Sequence, residues 1–306
     1  MSTTQASTAL LLVSILLACQ GGGGPVEHVV VIGVDGLSPD GIHGADTPNI
    51  DALVAAGAHS FTAEAVMPTT SAPNWTSMIT GLLPEVHGIL EKRWDERAVR
   101  SRSYCGKPPG TLPPNLFRVT REQRPDADVV VFYEWGGFGP LLERGDCTKK
   151  KQTFVPTHTA DAAVERIVAT QPLLLFLQFV HVDNIGHRFG HGSERYYKAV
   201  STTDEMIGRV LAALEQAEIR DRTVVLVTSD HGGLGKAHGG DTPEERLIPW
   251  IIAGPGIARG RAISDPILTT DTAATVASLL GVEAPACWTG RPVTAAFSRG
   301  WFGSRQ

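Results

Sequence analysis

The sequence predicts an α/β fold, a mostly parallel central sheet with helices on both faces. Three observations predict it. Short apolar, β-branched runs recur along the chain. Helical patterns lie between those runs, and strand–helix alternation favours parallel pairing. The length of 306 residues, with 42% hydrophobic and 19% charged residues, suffices for a large core and excludes a disordered chain, a coiled coil or a collagen-like repeat.

The elements follow in chain order. The apolar run at 9–18 is shorter than the ~20 residues a bilayer span needs and suits the core of an export signal. Leu16-Leu17-Ala18-Cys19 resembles the lipobox of bacterial lipoproteins. That implies residues 1–19 as a signal, a lipidated Cys19 anchoring the chain to a membrane, and a periplasmic or cell-envelope location. An ordinary secretory signal with an incidental Cys19 is the alternative, and either implies export. Residues 20–27, with Gly21 to Gly24, read as a flexible tether. The remainder, 28–306, reads as a single catalytic domain.

Strands are expected at 28–35, 129–134, 173–180, 223–230 and 249–254, all apolar runs of the kind buried on both faces. Helices are expected at 48–56, where Thr-Pro supplies a cap and a first-turn proline, and at 160–170, 193–218 and 269–280. A loop-rich excursion at about 90–125, rich in Pro, Arg and Gly, is a candidate lid. Cys105 and Cys147 lie in polar, loop-like sequence and are a candidate disulfide; three free thiols, with Cys287, is the alternative. With 27 basic against 32 acidic residues, no cationic excess exists for nucleic acid as the main partner.

Polar chemistry gathers where strands end. Asp35, Asp183 and Asp230 each follow a strand-like run. In an open α/β sheet, ligands bind beyond the carboxyl ends of the strands. A lone aspartate there is often a cap, but His187 stands four residues after Asp183, His231 is adjacent to Asp230, and His238 follows before two glycines. Carboxylate oxygens with neutral imidazoles suit Zn²⁺, among other divalent metals. The six residues are enough for two ions with open positions. His43, His59, His158 and His191 read as structural or solvated. Ser71 is expected at the start of a short helix over 73–80, where free N–H groups favour an anion. Asn74 is the neighbouring candidate donor, and Thr70 the reserve nucleophile.

In this order the motifs resemble the alkaline phosphatase superfamily, and within it the type I phosphodiesterase/nucleotide pyrophosphatase branch. The matching pieces are Val34-Asp35-Gly36, Pro68 to Asn74, Thr80-Gly81 to His87-Gly88-Ile89, Asp183 to His187, Ser229-Asp230-His231-Gly232 and His238-Gly239. The resemblance implies Asp183, His187 and His238 as ligands of one zinc. It implies Asp35, Asp230 and His231 as ligands of the other, which also holds Ser71. It further implies Ser71 as nucleophile through a phosphoserine intermediate, Asn74 as a contact to a phosphoryl oxygen, and His87 as structural. The expected substrates are small phosphodiesters or nucleotide pyrophosphates. A phosphomonoesterase is the first alternative, with Lys92, Arg93, Arg97, Arg100 and Arg102 available for a second phosphate charge. A sulfatase is disfavoured because Trp75 stands where that signature has Arg. A non-catalytic binding lipoprotein of the same fold and a single-metal hydrolase complete the alternatives. Trp75, Trp94, Tyr133 and Trp135 are aromatics that could stack a base but more simply pack.

Overall fold

The computed structural model describes residues 26–299 and Trp301. The export signal, Cys19 and most of the glycine tether lie outside them. Eight strands form one sheet: β1 (His28–Val34), β2 (Ala58–Glu64), β3 (Val129–Tyr133), β4 (Lys149–Gln152), β5 (Leu174–Phe179), β6 (Thr223–Thr228), β7 (Leu247–Ala253) and β8 (Arg261–Ala262). Their spatial order is β4-β3-β5-β1-β6-β7-β2-β8. β4, β3, β5, β1 and β6 pair in parallel, whereas β7 runs antiparallel to both β6 and β2. The five expected strands are present, and the one at 249–254 is the antiparallel member. β2, β4 and β8 were not expected. Three consecutive lysines in edge strand β4 are exposed, a charge pattern that discourages pairing with another chain.

The helices of eight residues or more are α1 (Pro48–Ala56), α2 (Ser71–Thr80), α3 (Leu116–Gln123), α4 (Pro156–Thr170), α5 (His181–Phe189), α6 (Glu194–Gln216) and α7 (Asp271–Leu280). α4 starts at Pro156, ahead of the expected 160, because Pro at the first helical position opens the turn there. Side chains alternate across the strands, so Val29, Val31, Val129, Val131, Leu174 and Phe176 face one core, with Trp75 and Ile79 of α2 and Val276 of α7. Val30, Ile32, Val130, Phe132, Leu175 and Leu177 face the other, under α1, α4 and α6. Helices therefore cover both faces. Among the described residues no helix is long and apolar enough to cross a membrane.

The excursion at about 90–125 is not a free lid. It contributes Tyr104, Leu112, Leu116 and Phe117 to the first core. Arg100 and Arg118 both pair with Glu143, and Arg118 also reaches Asp146 at 2.9 Å. The cysteine pairing also differs from expectation: Cys105 is bonded to Cys287, 182 residues away, with Cα atoms 5.0 Å apart. Cys147 is unpaired, and burial pushes its thiol up to about 12. Sequence spacing cannot distinguish such pairings, because three loop cysteines allow several.

A cross-link closing so long a loop constrains the unfolded chain strongly. Replacing Cys287 by Ser is expected to lower unfolding stability by about 2–4 kcal/mol, read from urea denaturation under non-reducing conditions.

Candidate active site

The parallel register places the site. Val34 of β1 pairs with Phe179 of β5, and Gly33 pairs with Thr228 of β6. The next residues of all three strands therefore leave the sheet on one edge. Asp35 follows β1 directly. Asp230 follows β6 through Ser229. Asp183 lies in the first turn of α5, which begins where β5 ends. Gly36 makes the turn possible: its φ is +69°, and a Cβ there would lie 2.9 Å from Asp183 Oδ1. Its N–H donates to Asp230 Oδ1 at 3.3 Å.

Asp35, Asp183 and Asp230 are all buried. Asp35 Oδ1, Asp183 Oδ1 and Asp230 Oδ2 have no hydrogen-bond partner. Burial, reinforced by neighbouring carboxylates, pushes Asp35 and Asp230 well above the usual carboxylate range. Burial also works to raise Asp183, but its hydrogen bond with His187 and the charges of His231 and His238 outweigh it and hold the carboxyl at about 2.

The imidazoles are oriented through their other nitrogens. His187 Nδ1 donates to Lys236 O at 3.0 Å, His231 Nδ1 to Gly232 O at 2.8 Å and His238 Nδ1 to Thr69 O at 3.0 Å. Those bonds leave each neutral ring with its Nε2 lone pair facing the carboxylates. His187 Nε2 lies 3.2 Å from Asp183 Oδ2 and 3.2 Å from His238 Nε2. His231 Nε2 lies 3.2 Å from Asp230 Oδ2 and 3.5 Å from Asp35 Oδ1. Asp183, His231 and His238 offer ligand atoms within 4.8 Å of one another, as do Asp35, Asp230 and His231. Two facing Nε2 lone pairs repel unless a proton or a cation lies between them. The donor set of buried carboxylate oxygens and pinned imidazoles therefore fits divalent ions. Without them, the carboxylate of Asp183, accepting a hydrogen bond from His187 Nε2, raises the imidazole's pKa to about 9.

Ser71 is the first residue of α2, and its Oγ lies 3.2 Å from His231 Nε2. With Thr70, Lys92, Trp135 and Asn184 it lines a cavity of 470 Å³ that opens on Asp35, Asp183, His187 and His238. The fold thus assembles Ser71 with all six expected ligands.

Asn74 corrects the expectation. It is fully buried, and its Nδ2 donates to the carbonyls of Val66, Pro68 and Thr70 while Oδ1 accepts from Val66 N. The side chain ties down the loop entering α2 and has no donor left for a substrate oxygen. His87 is buried as expected, between Ser77 Oγ and Ile89 N.

Three supporting residues were missed. Asp35 Oδ2 accepts from Gln178 Nε2 and from Trp75 Nε1, both at 3.1 Å. These bonds fix the carboxylate and turn Oδ1 to the cluster. Trp75 reaches there because Gly33 has no Cβ, which would lie 2.5 Å from the indole. Thr69 joins the nucleophile loop to the His238 loop, accepting from Gly239 N and donating to Gly240 O. Gln178 alone carried a signal, as the one polar residue in the Leu174–Phe179 strand.

Comparison with known proteins gives the family and the fold. The family described as type I phosphodiesterase / nucleotide pyrophosphatase matches residues 29–123 and 107–236. The chain belongs to this family. An uncharacterized pyrophosphatase/phosphodiesterase of Schizosaccharomyces pombe is 26% identical over 235 residues, covering 73% of this chain and 47% of that protein. Ectonucleotide pyrophosphatase/phosphodiesterase family member 3 of Rattus norvegicus is 25% identical, covering 67% of this chain and 24% of that protein. The chain thus spans less than half the length of either curated relative. Murine ectonucleotide pyrophosphatase/phosphodiesterase 5 superposes with a TM-score of 0.71 at 16% identity, covering 89% of this chain and all of that one. A 2-O GAG sulfatase gives 0.70 at 17% identity, covering 88% and 73%. The fold is the one these proteins share.

If Trp75 aims Asp35, removing only its N–H should weaken divalent-ion binding. Trp75→Phe is expected to raise the dissociation constant of one ion about 10-fold, measured by competition with a chromogenic chelator.

Proposed function

We propose that this chain is a two-metal hydrolase of phosphate esters, acting on phosphodiesters or nucleotide pyrophosphates through a phosphoserine at Ser71. The observation that carries the reading is Ser71 Oγ at 3.2 Å from His231 Nε2, at a helix start, in a cavity lined by Asp35, Asp183, His187 and His238. Family membership supports the reaction class. The murine relative of the same fold has been solved in complex with AMP, which favours a nucleotide-sized substrate. The reading assigns zinc to both sites, since carboxylate and imidazole donors suit it.

The residues divide the work. Asp183, His187 and His238 would hold one ion, and Asp35, Asp230, His231 and Ser71 the other. When bound, the ions supply Lewis acidity that lowers the pKa of the serine hydroxyl and offsets charge on the leaving oxygen. Ser71 Oγ attacks phosphorus as the bond to the leaving-group oxygen breaks, giving a phosphoseryl ester. Water then attacks that ester in line and restores the hydroxyl. Two in-line displacements give net retention at phosphorus. The first-turn N–H groups of α2 face developing anionic charge, a favourable helix-dipole position. Trp135, on the cavity wall, offers an apolar face to a base or aryl group.

Ser71→Ala is expected to lower turnover of a bis-aryl phosphate by at least ~10³-fold with metal content unchanged by elemental analysis. Full activity in that variant refutes the nucleophile assignment.

One observation favours a phosphomonoesterase as the second reading: among the described residues lining the cavity, Lys92 is the one Lys or Arg. An ammonium there matches the extra charge of a dianionic phosphoryl group. If monoesters are the substrates, Lys92→Ala loses about tenfold or more in kcat/KM on an aryl phosphate and little on a bis-aryl phosphate. Equal effects on both leave the diester reading in place. Including an aryl sulfate in the comparison separates the sulfatase alternative. Export and lipid anchoring through Cys19 are proposed with this function, and mass spectrometry of the mature N-terminus tests them.

A further inference from the structure

His191 has no task in the site as described so far, yet the fold builds a place for it. Its side chain is 3% exposed, and neither ring nitrogen has a hydrogen-bond partner. The ring sits in a slot made by two glycines: a Cβ at Gly186 or at Gly233 would lie 2.4 Å from Nε2. The backbone is held as well, because His191 N donates to Gly235 O at 2.6 Å. The ring packs on Tyr196 with centroids 5.1 Å apart. Nε2 faces Asp183 Oδ1 at 3.8 Å, and that oxygen is itself buried and unpartnered. A histidine that only filled space would not need a slot aimed at a carboxylate, and leaving a buried donor and acceptor apart is costly.

We propose that His191 is a positioning residue behind Asp183, donating from Nε2 to Oδ1 and so holding the carboxylate in the orientation that serves the ion shared with His187 and His238. A small rotation of the carboxylate brings the pair within hydrogen-bond range. An ionised carboxylate offers about four lone-pair sites, so Oδ1 can accept from His191 while the group still serves an ion. The two oxygens are then divided: Oδ2 lies 3.2 Å from His187 Nε2 on the same helix, and Oδ1 is held from the opposite side by a residue beyond the helix end. His238 Nε2 also lies 3.8 Å from Oδ1, but its Nδ1 donates to Thr69 O, so in the neutral ring Nε2 is a lone pair and His191 is the neighbour with a proton to donate.

The inference rests on the two-metal reading, and its test is read in zinc affinity rather than turnover. The full-length protein, stripped of metal, is titrated with zinc against a chromogenic chelator. His191→Leu fills the slot without a donor, and His191→Ala leaves the slot open as a second donor-free variant should the leucine not fold. His191→Gln returns an amide N–H near the position of Nε2. The donor-free variants are expected to bind one of two zinc equivalents about 10–100-fold more weakly, with the glutamine recovering most of the loss and all folded variants showing the same circular dichroism. Wild-type affinity for both equivalents in a donor-free variant, or a glutamine variant as weak as the leucine, overturns the proposal. So does a wild-type protein that binds no zinc. Absence of turnover on every phosphate ester would instead sink the proposed substrate class and leave the zinc result standing.

Discussion

Asp35, Asp183 and Asp230 are packed out of water at the carboxyl edge of one sheet, close enough that their charges raise one another's cost. Buried carboxylates without compensating positive charge oppose folding or take up protons. Much of the surrounding structure answers that constraint. Three imidazoles converge on the acids with their donor sides turned away to backbone carbonyls. Gln178 and Trp75 absorb one oxygen of Asp35. Gly33 and Gly36 give up side chains so that the indole and Asp183 can come close. The cluster is organised in advance for cations, and the nucleophilic hydroxyl is delivered to it by the start of a helix.

Rigidity extends outward from that centre. Asn74 uses its whole amide to clamp the segment before α2, and Thr69 stitches the same segment to the loop carrying His238. Glu245 accepts from Gly240 N and Thr242 Oγ1, closing the far end of that loop. Glu134 accepts from Val180 N just before α5, so the helix bearing Asp183 and His187 is anchored to β3's end. Asn74 and Glu245 brace their own loops, whereas Thr69 and Glu134 join segments 170 and 46 residues apart, so the hydroxyl and its neighbours are set by local bracing and tertiary contacts together.

What could be read from the chain alone follows from where the information is local. β1, β3, β5, β6 and β7 announce themselves as β-branched apolar runs, and α1 carries its Thr-Pro start signal. The six acidic and histidine residues stood out because strand ends and i,i+4 spacing are visible in one dimension. β2, reading AHSFTAE, and β4, reading KKKQ, lack apolar continuity and owe their conformation to strands already in place. Asn74 misled because its type and position suit an oxygen contact, whereas its burial depends on Val66 and Thr269 packing around it. Gln178, Thr69 and His191 act across distances of 143, 169 and 8 residues respectively, and His191 lies past the end of the helix that carries Asp183. Cysteine connectivity is likewise a property of the folded loops.

A polypeptide emerges amino end first, and the Cys105–Cys287 bond joins positions 182 residues apart. Until residue 287 is free, no covalent fastening can secure the segment that carries Tyr104 into the core and lies just beyond Lys92 at the cavity rim. The finished bond ties the loop before Leu112 to the chain's last third, away from every group that takes part in the proposed chemistry.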